Sequence, residues 1–118
     1  MTDISKIDMN RIEGLIEKLE SMIYVVETSS NGNGWYRVWS DGWIEQGGII
    51  NGATDKNSTH NLLKTYKNTQ YNIFVTSNSS NNTFNAAQPD WINVKTTTTF
   101  TLHCDSFGGD ISWYACGY

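Results

Sequence analysis

The stretch WYRVWSDGWIEQGGII, residues 35–50, decides the fold. Trp35–Trp39 and Trp43–Ile50 are rich in aromatic and β-branched residues and flank Ser40-Asp41-Gly42. That is the composition of two strands joined by a turn. A three-residue hairpin loop puts Gly42 in the left-handed position. It sets Trp39 opposite Trp43 and Arg37 opposite Glu45 on one face, and leaves Tyr36, Val38 and Ile44 as the core face. A two-residue Asp-Gly turn would mix these sets, because a slip of one residue moves every side chain to the other face.

Outward toward the C-terminus the alternation continues. Residues 51–61 read as a polar loop and residues 71–77 as a strand. Residues 78–83 read as an exposed Asn/Ser tip, and residues 90–96 as a short strand holding Trp91 and Val94. Residues 97–104 and 110–117 form the last two strands. A turn centred on Gly108-Gly109 would pair Cys104 with Trp113 and Leu102 with Ala115. Phe100, Leu102, Cys104, Ile111, Trp113 and Ala115 then face inward, and His103, Ser112, Tyr114 and Cys116 outward. The two cysteines fall on opposite faces, so no disulfide is expected. Several short alternating strands predict a mainly β domain, an antiparallel β-sandwich over residues 35–118.

Toward the N-terminus the period changes. Met9, Ile12, Ile16, Leu19, Ile23 and Val26 are spaced by threes and fours, the a/d pattern of a coiled coil. The spacing predicts a helix over residues 1–27, with residues 28–34 (SSNGNG and its flank) as a linker. Such a stripe cannot be hidden by one helix alone. Isoleucine at both core positions favours three strands, so a homotrimer is expected through these six residues; the alternative is an ordinary amphipathic helix packed on the β part.

The chain has 118 residues, one proline and a formal charge of −4, with five Trp, six Tyr and four Phe. Aromatic richness argues against disorder. Without clustered Lys and Arg, nucleic-acid binding through a basic patch is excluded. No run of 18 apolar residues occurs, so no membrane insertion is expected. The N-terminus lacks the basic and apolar regions of a signal peptide. The N-x-S/T triplets at Asn57, Asn78 and Asn81 are then chance products of an Asn- and Ser-rich chain.

No catalytic constellation stands out. There is no G-x-S-x-G elbow, no phosphate-cradling glycine loop, and no pair of carboxylates marked out for acid–base work. Gly47-Gly48 and Gly108-Gly109 read as bulge and turn residues. His103 and Cys104 are neighbours in a strand and point apart, so they cannot share a metal. Three copies of His103 on a threefold axis could form one, but an exposed polar strand residue is the simpler reading. Neither an enzyme nor a cofactor is expected. What remains is aromatic rings with amides, the side chains that sugar sites use: ring faces for stacking and amides for hydroxyls. Polar loops on a rigid sheet are natural contact surfaces. This makes Asn57, Thr59 and His60 in one loop, and Asn78, Asn81 and Asn82 in another, the candidate binding residues.

The motifs also carry a resemblance. YRVWSDGWIEQGG (36–48), YKNTQYNIFV (66–75), KTTTTFT (95–101) and WYACGY (113–118) together are similar to the C-terminal domains of bacteriophage and prophage tail fibres. The likeness covers about residues 35–118. Two departures stand out: no proline precedes the middle strand at residues 62–66, and Cys116 stands where an aliphatic residue is usual. The resemblance implies a trimeric β-domain at the tip of a fibre, made in the host cytoplasm and carried on the virion. It would bind a glycan or protein on the bacterial surface. The alternative within the same architecture is a structural cap that ends a fibre without touching a receptor.

Overall fold

The computed structural model describes residues 9–51, 56–77, 90–104 and 110–118. One helix, α1 (Met9–Ser21), precedes eight strands: β1 (Val25–Asn31), β2 (Gly34–Trp39), β3 (Ile44–Ile50), β4 (Lys56–Asn61), β5 (Asn72–Ser77), β6 (Trp91–Lys95), β7 (Thr99–Cys104) and β8 (Ile111–Gly117). The strands form a five-stranded sheet in the order β1-β2-β3-β8-β5 and a three-stranded sheet in the order β4-β7-β6. Every pairing is antiparallel.

The β2–β3 hairpin has the register that its sequence calls for. Arg37 pairs with Glu45 and Val38 with Ile44. The Trp39 amide donates to the Trp43 carbonyl at 2.8 Å, which closes a loop of three residues. Gly42 sits at φ 92°, a conformation open to glycine and costly for a residue with a Cβ. Asp41 steadies the loop by accepting the Trp43 amide at 3.0 Å.

Expectations about element bounds and strand pairing need correction. First, the helix ends at Ser21, not at residue 27. Beyond it Ser40 of the hairpin loop captures the chain: its amide donates to the Tyr24 carbonyl and its hydroxyl accepts the Tyr24 amide. The β-branched Val25, Val26 and Thr28 then favour a strand. Residues 28–34 are therefore not a linker. They are the rest of β1, a turn at Gly32-Asn33 and the first residue of β2. Small polar side chains suit β1 because it lies at a sheet edge. Second, residues 56–61 are an edge strand rather than loop. Its outward residues Asn57, Thr59 and Asn61 face water, so it shows no apolar alternation to read. Third, β7 and β8 are not partners. β7 lies between β4 and β6, and β8 between β3 and β5. The inward set nonetheless holds: Phe100, Leu102, Cys104, Ile111 and Ala115 are all buried. Alternation fixes which face a residue takes, whichever strand it pairs with.

The inner faces of the two sheets meet over that set. Phe100, Leu102, Cys104 and Ile111 pack with Ile50, Ile73, Val75, Ile92 and Trp113. The Phe100 and Trp113 rings lie 4.9 Å apart. Cys104, buried, and Cys116, half-buried, form no disulfide with each other.

Beside this core, the segment linking β4 to β5 is held by polar bonds. Gln46 is fully buried. Its Oε1 accepts the amides of Leu63 and Lys64 at 2.7 and 3.0 Å, and its Nε2 donates to the Lys64 carbonyl at 2.9 Å. One side chain thereby satisfies three backbone groups of an irregular segment. Tyr66 and Tyr71 stack at 4.2 Å beneath it. Burial pushes the Tyr66 phenol up to about 12. The Tyr71 hydroxyl donates to the carbonyls of Thr96 and Thr99, and Lys95 Nζ donates back to the Tyr71 carbonyl at 2.6 Å. Gly47 and Gly48 lie inside β3 rather than at a bulge. A Cβ on Gly48 would meet the Asn33 carbonyl, and one on Gly47 would approach the Trp113 carbonyl to 2.7 Å. The C-terminus closes the hairpin: the Tyr118 hydroxyl donates to Asp41 and its ring meets Trp43 edge-on at 5.1 Å.

Against this packed β part, no residue of α1 is buried. The radius of gyration is 21.3 Å, where a compact chain of this length has about 13 Å. The accessible surface is 8194 Å², where a compact monomer of this mass shows about 6,500 Å².

Gln46→Ala should destabilise the fold by about 3 kcal/mol, because three backbone groups lose their partner at once. Urea denaturation checks this, and a loss below about 1 kcal/mol would remove Gln46 from its role.

Candidate functional site

Two surfaces offer themselves for contact. The first is the outward face of the three-stranded sheet. Its register sets Asn57 beside His103 and His103 beside Trp91, with Thr59 beside Thr101 and Thr101 beside Val94. His103 Nδ1 donates to Asn57 Oδ1 at 2.6 Å. The Trp91 indole stacks on the His103 ring at 4.0 Å with the planes 18° apart. The Thr59 and Thr101 hydroxyls share a hydrogen bond of 2.9 Å. Trp91 remains 44% exposed. The outward positions of β4, β6 and β7 hold no acidic residue and no Lys or Arg. The surface is an aromatic ring, an imidazole, an amide and two hydroxyls on a rigid ladder.

Of the candidates named from sequence, Asn57 and Thr59 therefore share one exposed surface. His60 turns the other way. Its ring lies 5.5 Å from Phe100 and its Nε2 is 2.7 Å from the Ser58 hydroxyl. Burial pushes the His60 imidazole below its ordinary value. Asn78, Asn81 and Asn82 lie outside the described residues. Trp91, Thr101 and His103 were missed as site residues. His103 was placed outward by alternation, but β4 had not been recognised as its neighbour.

The second surface is apolar. Met9, Ile12, Ile16 and Leu19 lie on α1, while Ile23 and Val26 lie beyond its end. Met9 is 63% exposed, Leu19 61% and Ile23 61%, and Leu15, Ile16, Met22 and Val26 are exposed as well. Side chains three and four apart share a helix face, so the α1 members form one continuous stripe.

The outer face of the five-stranded sheet is occupied differently. The Trp39 indole and the Tyr114 hydroxyl both donate to the Glu45 carboxylate, at 2.6 and 2.8 Å. Burial, and then Glu45, hold the Tyr114 phenol above its ordinary value. Trp35 lies 6.0 Å from Tyr114, and Arg37 lies over Trp35. These motif residues bind one another, so their chemistry is spent on structure. Among the described residues no cluster of His, Cys, Asp and Glu could hold a metal ion, and no helix is long and apolar enough to cross a membrane.

The whole chain superposes on an R2-type pyocin tail fibre with a TM-score of 0.67 at 17% identity, and covers 52% of that structure. The fold is a tail-fibre fold. A second solved structure, a C-terminal fragment of the R2 pyocin fibre of P. aeruginosa, matches 79% of the chain and 26% of its own length, with a TM-score of 0.58 and 20% identity. The chain thus spans about half the length of the N-truncated pyocin fibre chain that it matches throughout. No family model matches its sequence, and neither does any curated protein.

The inward placement of His60 carries a pH dependence. The folded chain keeps this imidazole neutral more firmly than the unfolded chain does, so the unfolded state takes up the proton first. The stability is whole above the ordinary value of 6.5 and is lost as the pH falls through and below it. Thermal unfolding between about pH 8 and about pH 5 should show this slope, and His60→Gln should flatten it. An equal slope in both proteins would contradict the assignment.

Proposed function

We propose that the chain is the tip domain of a phage-type tail fibre. It works as a homotrimer on the virion and attaches the particle to a bacterial surface, through a glycan. The observation that carries this reading is the bare apolar stripe of α1 running straight into the β domain. A helix of 13 residues is about 20 Å long and marginal in water by itself. Three parallel copies hide the stripe and set three β domains side by side. The likeness to a pyocin tail fibre, which covers the whole chain, supports the fibre part of this reading.

The mechanism is binding without catalysis. Each β domain offers a preformed surface, and the shared helices fix the spacing of three such surfaces. Once one site holds, the other two see their receptors at high effective concentration, so weak single contacts multiply. The net charge of −4 gives no electrostatic pull toward nucleic acid. The two packed sheets act as a rigid sandwich that carries the contact residues.

Fluorescently labelled protein should coat bacterial cells of some strains in a panel, saturably. Ile16→Asp places a charge in the stripe, and should weaken that coating by about a hundredfold as avidity is lost. Flow cytometry reads both. Coating of no strain contradicts the receptor role and leaves a structural cap. Equal coating by the Ile16→Asp protein contradicts the trimer.

A further inference from the structure

We infer that the outward face of β4, β7 and β6 is the sugar-contacting surface, with Trp91 as its anchor, and that its ligand is an uncharged pyranose ring of a surface glycan. This rests on the receptor-binding reading above and names its site. A pyranose presents a band of C–H groups and a rim of hydroxyls. It asks for a fixed aromatic ring with donors and acceptors a few ångströms away.

The geometry answers each demand. One flank of the Trp91 indole is braced by His103, and His103 is in turn held by Asn57. The anchor is ordered before any ligand arrives, so little rotamer freedom is lost on binding. Asn57 commits its oxygen to His103 and keeps its NH2 donors. Thr59 and Thr101 spend one hydrogen bond on each other, and a hydroxyl can make three. Across the sheet, Thr101 stands on the strand next to that of Trp91, about 4.8 Å away, and Asn57 and Thr59 stand one strand further. The absence of Lys and Arg at the outward positions disfavours an acidic sugar or a phosphate as the anchored group.

A second copy of the chain is the other candidate for this face, and the distribution of apolar surface argues against it. Lasting interfaces between copies are largely apolar. Here Trp91 and Val94 stand among amides and hydroxyls, whereas the exposed apolar side chains from Met9 to Val26 are concentrated on α1 and its junction with β1.

The full-length chain should be applied to an array of bacterial surface oligosaccharides and, in parallel, to intact cells. Trp91→Ala is expected to weaken glycan binding about tenfold or more, the loss typical of an aromatic anchor. Trp91→Phe should keep most of the binding. Phe74→Ala, which removes a 59% exposed ring from the other sheet, should leave it unchanged. Equal thermal midpoints confirm that each variant is folded, and Thr101→Val serves as a second probe should Trp91→Ala fold poorly. Undiminished glycan binding by a folded Trp91→Ala or Thr101→Val protein overturns the site. Cell coating without any bound sugar overturns the sugar assignment and leaves the receptor role standing. Failure to bind both cells and sugars removes both. A change of oligomer mass in Trp91→Ala gives this face to a second copy, and also overturns the proposal.

Discussion

A 13-residue helix in water gains one hydrogen bond per residue only after a costly first turn, and it is marginal at this length even with favourable residues. Most helices escape by burying a face on their own domain. α1 buries nothing. Its stripe stays in water and the chain is drawn out to 72 Å along one axis. Contact with further copies, as proposed, would supply the free energy that orders such a helix. In the proposed trimer, shared helices would set the copy number, the copy number the spacing of the β domains, and the spacing the combined strength of weak sites.

The β half obeys a different logic. It does not rely on apolar area alone, because the segment at residues 62–71 is irregular and rich in backbone polar groups. Gln46 reaches into that segment and satisfies it from within β3. Tyr71, Lys95 and the Thr96–Thr99 turn tie the two sheets together by hydroxyl, ammonium and carbonyl bonds. Tyr118 is bonded to Asp41, and its carbonyl accepts the Lys67 amide at 2.9 Å. With so many polar groups spent on internal bonds, these motif residues have little left for a ligand. On the outward face of the smaller sheet Trp91 stays 44% exposed and Asn57 keeps its NH2 donors.

The hairpin at residues 35–50 was legible because turn chemistry and alternation agree there, and Gly42 leaves one register open. The inward set of β7 and β8 was legible for the same reason, since period two fixes a face without knowing a partner. The partners themselves were not. Nothing local tells Cys104 to stand beside Lys56 rather than across a turn from Trp113. β1 and β4 were hidden by being polar edge strands: Ser29, Ser30, Asn57 and Thr59 look like loop because their outward sides meet water. The helix end was hidden too, because the heptad continues through Ile23 and Val26 while the capture of residue 24 by Ser40 is a long-range contact. The site inherits both errors. Asn57 and Thr59 were named as loop residues. Their neighbours Trp91, Thr101 and His103 join them only through pairings that sequence does not announce.

Whether copies of this chain meet along the α1 stripe is decided by sedimentation equilibrium of the intact protein at micromolar concentration. A trimer gives a single species of three times the 13.3 kDa chain mass. A stable species of 13.3 kDa, with α1 still helical by circular dichroism, would contradict it.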